Sequence, residues 1–249
     1  MIRRVLGTLA LLTLLLAFLT AITGCSSICL QSGSDTGNTT RAALIDQLFP
    51  SNPDQYFIDR ITALLQKNGY MVDYFSGDQI TVDLYRHLAA RNYNLVVFRA
   101  HAGLLGNGTR ADQKTCLFTN QPYRQTGEYF DQIQDRVVKA GVNNQPPLFG
   151  INAEFVLRSM QGKFNQTTVI MMGCNTLKKD DLARAFIEKG ASAYAGWDSE
   201  VDLSYDQRVM LRLLDSLFKD SSLPTAVQTT MSDKGPDPDS GAELKYCCE

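Results

Sequence analysis

Two apolar runs constrain this chain more than any other feature: NLVVFRA at residues 94–100 and TTVIMM at residues 167–172. Neither alternates apolar with polar side chains. A strand that is apolar on both sides needs cover on both, which is the condition of a parallel sheet with helices above and below it. The segments between such runs have helical spacing. RAALIDQL, from Arg41, reads as a first buried strand, and Pro53 to Asn68 as a helix carrying Phe57, Ile61, Leu64 and Leu65 on one side. Asn52 is the expected N-cap of that helix, with Pro53 at its first position and Gly69 as its stop. YMVDYFS follows as a strand, and Thr81 to Ala90 as a second helix capped by Thr81. Strand and helix therefore alternate, and the pattern predicts an α/β fold, a three-layer sandwich with a mostly parallel sheet and right-handed crossovers.

The middle of the chain is less regular. TCLFTNQPY reads as a strand or one arm of a hairpin, Gly127 to Ala140 as helical, NNQPPLFGIN as a loop and Ala153 to Met160 as a short helix. Regularity returns with TTVIMM, the helix Asp180 to Lys189 and the strand ASAYAGW. A long amphipathic helix is expected over Ser204 to Lys219, another over Leu223 to Met231, and turns in the tail SDKGPDPDSG.

The first residues read as a targeting segment. Arg3 and Arg4 precede an uncharged apolar stretch from Val5 to Ile22, and Thr23, Gly24 and Cys25 follow. The small residues before Cys25 resemble the lipobox of prokaryotic lipoproteins, which implies cleavage before Cys25 and lipid on its sulfur. The stretch is also long enough to stay as an uncleaved anchor, and simple secretion is the third alternative. The expected division is a signal segment at 1–24, a flexible Ser/Gly/Thr/Asn-rich tether at 25–40 and one α/β domain at 41–249. The expected location is the extracytoplasmic side of a cell membrane.

Of the 24 basic residues, two lie in 1–24, so 22 stand against 26 acids in the remainder, a formal charge of −4. No long basic run or Lys/Arg stripe with interleaved aromatics occurs, which argues against nucleic acid as a partner. Six cysteines and two histidines match no zinc spacing, so neither metal nor cofactor is expected. With Cys25 lipidated, five thiols remain. Adjacent Cys247 and Cys248 are poor partners for each other, and either could pair with Cys29.

The chemistry gathers where the apolar runs end. In an open parallel sheet, ligands and catalytic groups collect beyond the carboxyl ends of the strands. His101 follows one run and Cys174 another. If the two strands are neighbours, imidazole and thiol face one crevice, where a thiolate is the useful nucleophile and the imidazole its proton acceptor. Each residue also has a plainer reading: a small buried hydrophobe for Cys174, a loop histidine for His101. Arg99, inside the first run, either pairs with an acid or points into the crevice.

In chain order, LVVFRAHAG and TVIMMGCNT resemble the caspase, legumain, gingipain and CHAT-domain superfamily of cysteine peptidases, and LARAFIEKGASAYAGWDSEV resembles the segment that follows the cysteine there. The resemblance spans roughly Ala42 to Met231. It implies a caspase-like sheet, Cys174 as nucleophile and His101 as general acid/base. It also implies an oxyanion hole from the Cys174 N–H and an N–H just after His101, at Ala102 or Gly103. Gly173, Asn175, Trp197 and Asp198 are the expected neighbours of the site, with Asn175 a candidate third member. The pattern is departed from at Ala102, where the small residue comes one position late. Asp198, Glu200 and Asp202 would give an acidic rim favouring a basic residue in a peptide or protein substrate. A catalytically silent peptide-binding module on the same scaffold, and an acyl transferase such as a transpeptidase, are the rival expectations.

Overall fold

The computed structural model describes residues 40–106, 113–141, 145–220 and 222–247. Its centre is a six-stranded sheet of order β10-β9-β8-β3-β1-β2. Five strands are parallel: β1 (Arg41–Asp46), β2 (Met71–Ser76), β3 (Leu95–Arg99), β8 (Thr167–Met172) and β9 (Ala191–Trp197). The sixth, β10 (Leu244–Cys247), runs antiparallel along the β9 edge. Alternate residues of the central strands feed two cores. Ala42, Leu44, Leu95, Val97, Ile170 and Met172 pack with side chains of α1 (Gln55–Lys67), α6 (Leu203–Asp220) and α7 (Leu223–Lys234). Ala43, Ile45, Val96, Phe98, Val169 and Met171 pack with those of α2 (Val82–Arg86), α4 (Ala153–Arg158) and α5 (Asp181–Glu188). Helices thus cover both faces, and the three-layer α/β arrangement with a mostly parallel sheet is the one expected.

A second sheet occupies the irregular middle. It is antiparallel, in the order β4-β5-β7-β6, from β4 (Ala102–Leu105), β5 (Lys114–Pro122), β6 (Val137–Ala140) and β7 (Leu148–Ile151). Leu117, Val137, Phe149 and Ile151 join the core on the α2/α4/α5 face. Two expectations are corrected here. The stretch 127–140 is helical only over α3 (Tyr129–Ile133) before turning into β6, and the expected loop 143–152 contains β7.

Smaller corrections concern helix ends. The N-cap of α1 is Asp54, whose carboxylate accepts from the Phe57 N–H at 2.9 Å, so Asn52 and Pro53 lie outside the helix. Thr81 does cap α2, but that helix stops after five residues and a 3-10 turn, Ala89–Arg91, follows. The expected signal segment and tether, Cys25, Cys29 and Cys248 lie outside the described residues, and Cys247 is disulfide-bonded. Among the described residues no helix is long and apolar enough to cross a membrane.

Candidate functional site

Neighbouring strands deliver the histidine and the cysteine. β3 and β8 pair in parallel with Arg99 opposite Met172, and the Ala100 N–H donates to the Met172 carbonyl at 3.0 Å. His101 and Cys174 are therefore the second residues beyond a shared rung. Gly173 is needed at that point for want of space. A Cβ there would lie 2.2 Å from the Ala100 carbonyl oxygen.

Beyond that rung the two side chains line different hollows. After His101 the chain leaves the central sheet and enters β4. The His101 N–H donates to Gln47 Oε1 at 2.9 Å, and the His101 carbonyl accepts from the Phe118 N–H at 3.0 Å. The imidazole sits 6.0 Å from the Phe118 ring, in a hollow of about 440 Å³ whose lining includes Gln47, Ser51, Asn120 and Pro146. Burial pulls its pKa below the usual 6.5. Cys174 lines another hollow, of about 390 Å³, with Ala102, Gly103, Leu104, Asn175, Lys178 and Glu200. Its Sγ accepts from the Val201 N–H at 3.5 Å and lies 3.8 Å from the Val201 carbonyl. Burial pushes the thiol above the usual 9.0 against that N–H, and the Glu200 and Asp206 carboxylates add to the rise. No hydrogen bond links Cys174 to His101 in this arrangement.

The turn after β8 is tied to the end of β9. The Asn175 N–H donates to Ser199 O at 2.8 Å, Leu177 N–H to Trp197 O at 2.7 Å, and Trp197 N–H to Thr176 Oγ1 at 2.9 Å. Asn175 adopts φ +59°, a left-handed conformation that asparagine tolerates better than most residues. Its Oδ1 is buried without a hydrogen-bond partner. Trp197 is fully buried, its indole N–H donating to the buried Asp206 carboxylate at 2.9 Å, so it is a wall of the core beneath the turn. Asp198 faces β10: its Oδ1 accepts from the Glu243 N–H at 2.9 Å, and Lys245 lies 3.8 Å from Oδ2. Asp202 caps the start of α6 through the Tyr205 N–H at 2.9 Å. Of the three acids expected at the rim, Glu200 alone lines the Cys174 hollow.

One contributor escaped the sequence reading, Gln47, and one position left open there, Arg99, is resolved. Gln47 bridges the His101 N–H and Asn120 Oδ1, and neither partner is near it in sequence. Arg99 pairs with Asp46 at 2.7 Å with both side chains fully buried, and its second terminal nitrogen donates to the Asn52 carbonyl at 2.8 Å. The ion pair sits under the strand ends and answers the question its position raised. Among the described residues there is no group of three or more His, Cys, Asp or Glu able to hold a metal ion.

No family model matches the chain, and no curated protein matches it. Solved structures do resemble it, among them two at low identity. One is the Arg-specific cysteine proteinase gingipain R, at 10% identity and a TM-score of 0.44, with 79% of this chain and 43% of that one covered. The other is protein GSU0716 from Geobacter sulfurreducens, at 11% identity and a TM-score of 0.42, with 84% of this chain and 93% of that one covered. The chain thus spans less than half the length of the gingipain chain.

Proposed function

We propose that this chain is a membrane-tethered, extracytoplasmic cysteine endopeptidase with Cys174 as nucleophile and His101 as general base and acid. One observation carries the reading: β3 and β8 are hydrogen-bonded neighbours, in a register that ends with His101 and Cys174 beyond the same edge. That edge is where a parallel sheet assembles reacting groups. Burial raises the thiol above 9.0 and lowers the imidazole below 6.5, which favours the neutral form of both near pH 7. The reaction therefore begins with a neutral pair, and not with a stored thiolate and imidazolium.

In the first step the Cys174 side chain turns away from Val201 and loses its proton to the His101 imidazole as sulfur attacks the peptide carbonyl. The N–H of Cys174 and one from Ala102 or Gly103 receive the oxyanion. The imidazolium then protonates the departing amine, and water, deprotonated by His101, hydrolyses the thioester and restores both groups. Glu200 and Lys178, on the wall of the Cys174 hollow, are the charged groups that a substrate side chain meets there. Glu200 favours a basic side chain.

The test is digestion of a peptide library by the native chain, Cys174→Ala and His101→Ala. Loss of all cleavage with Cys174→Ala is expected, and a fall of about 10²–10⁴ with His101→Ala. Equal cleavage by the native chain and Cys174→Ala ends the proposal. One observation favours a second reading, a silent peptide-binding module: thiol and imidazole line separate hollows with no hydrogen bond between them. That reading expects no turnover and the same peptide affinity with or without the sulfur.

A further inference from the structure

β4 is an edge strand. Its sheet runs β4-β5-β7-β6, and among the described residues β5 is the strand it pairs with. Antiparallel strands alternate between pairs that exchange both main-chain hydrogen bonds and pairs that exchange none. The Phe118 N–H donates to the His101 carbonyl at 3.0 Å, which marks His101 and Phe118 as a bonded position. The register then runs Ala102↔Leu117, Gly103↔Cys116, Leu104↔Thr115 and Leu105↔Lys114. Gly103 and Leu105 are therefore bonded to β5, whereas the N–H and C=O groups of Ala102 and Leu104 point away from it. No hydrogen bond from another described residue reaches those groups.

This free edge borders the thiol. Ala102, Gly103 and Leu104 line the hollow that holds Cys174, and each is partly exposed. Side chains alternate between the two faces of a strand. Three consecutive residues on one wall thus mean that the hollow meets the main chain of β4 and not one of its faces. Gly103 supplies a second observation. A Cβ there would meet nothing within 4 Å, and its φ is not positive. Neither packing nor backbone conformation within this chain requires a glycine at that position.

We propose that a polypeptide substrate binds as an added antiparallel strand on the free edge of β4, with Gly103 leaving room for one of its side chains. The inference rests on the peptidase reading above and states how that substrate is held. Outward N–H and C=O groups at strand spacing match the main chain of any extended peptide. The residue whose carbonyl is attacked lies opposite Ala102. Its carbonyl accepts from the Ala102 N–H, and its own N–H donates to the Ala102 carbonyl. Ala102, and not Gly103, then supplies the second oxyanion donor, because the Gly103 N–H is held in the ladder to Cys116. Antiparallel pairing puts the residue two positions toward the substrate N-terminus opposite Leu104, about 7 Å along the edge. The residue between these two faces Gly103 in a pair without hydrogen bonds, where side chains approach most closely. Its side chain occupies the space that a Cβ on Gly103 would enter.

The experiment takes the peptide that immobilised full-chain Cys174→Ala retains best from a peptide library and methylates its amide nitrogens one at a time. Affinity is expected to fall about tenfold at two positions two residues apart and to change less than about twofold at the position between them. Amide exchange reads the same contact from the protein side. The Ala102 and Leu104 N–H should exchange fast in the free chain and slowly with peptide bound, while those of Gly103 and Leu105 are slow in both. Gly103→Val should lower affinity about tenfold for a peptide with a large middle side chain and leave its glycine counterpart unchanged. An equal loss for both peptides overturns the role of Gly103. Affinity indifferent to the methylated position, or Ala102 and Leu104 amides that stay fast in the complex, overturns strand addition. Either result beside cleavage by the native chain leaves the peptidase standing. The alternating pattern without any cleavage by the native chain leaves the added strand and removes the peptidase. A library from which nothing is retained and nothing is cleaved removes both.

Discussion

At Cys174 the physical question is what sets the pKa of a half-buried thiol. Burial raises its pKa, Glu200 and Asp206 raise it further, and the Val201 N–H works in the opposite direction. Its alkylation by iodoacetamide should therefore have a midpoint above pH 9.0 in the resting protein. Glu200→Gln should lower that midpoint, by less than burial raises it, because Glu200 is a secondary cause. A native midpoint below 9.0 contradicts the half-buried, acid-flanked thiol. The two residues were legible in the sequence because each ends an apolar run, which is a local signal. Gln47 was not, because a glutamine just past a strand shows nothing of a partner 54 residues on. Nor was the φ +59° of Asn175, which arises from how the turn is tied to Ser199 and Trp197.

Among the elements, the junction of β3 and β8 is the tightest. A Cβ on Gly173 meets the Ala100 carbonyl, and backbone cannot swing aside as a long side chain can. Gly173→Ala should cost about 1–3 kcal/mol, as overpacking does. Urea denaturation measures it, and a variant as stable as the parent would show that the strand ends have slack. Beneath this junction, Asp46→Ala should cost more, about 3–5 kcal/mol, by leaving the Arg99 charge buried without its partner. A smaller loss in the same urea titration would mean that water reaches the guanidinium. The elements flanking the junction were readable, since β1, β2, β3, β8 and β9 are bounded by glycines, caps and helical spacing. β6, β7 and β10 were not. Each has four residues, too few for a period to declare itself, and each is a strand because a neighbour supplies the other half of its ladder. Arg99 likewise looks out of place in β3 until the sheet brings Asp46 beside it.

For the whole molecule, the polar groups under the strand ends couple stability to pH. Asp206, on α6, is buried against the Trp197 indole, and burial pushes its carboxyl up to about 7 from 3.8. Between those values the folded chain binds a proton that the unfolded chain has released. Its contribution is greatest below pH 3.8, falls as pH climbs to about 7 and is constant above. Each unit of separation is worth about 1.4 kcal/mol. Asp73, Asp202 and Asp215, held below the usual value by hydrogen bonds from Tyr93, Ser204 and Lys219, have the opposite sign and favour the fold as pH rises. They are shared by the native chain and Asp206→Asn, so the difference between the two isolates Asp206. Urea midpoints at about pH 5 and about pH 7.5 should show the native chain losing more stability over that interval than Asp206→Asn. Parallel changes in the two proteins would mean that the carboxyl is ionised throughout, with water or Arg99 compensating it. The same ionisation bears on Cys174, because the Asp206 carboxylate is one of the charges that raise the thiol. Protonating Asp206 on the acid side stabilises the fold, but the thiol ionises only above pH 9.0, where Asp206 is already charged, so it is Asp206→Asn, by removing that charge, that should lower the iodoacetamide midpoint of Cys174.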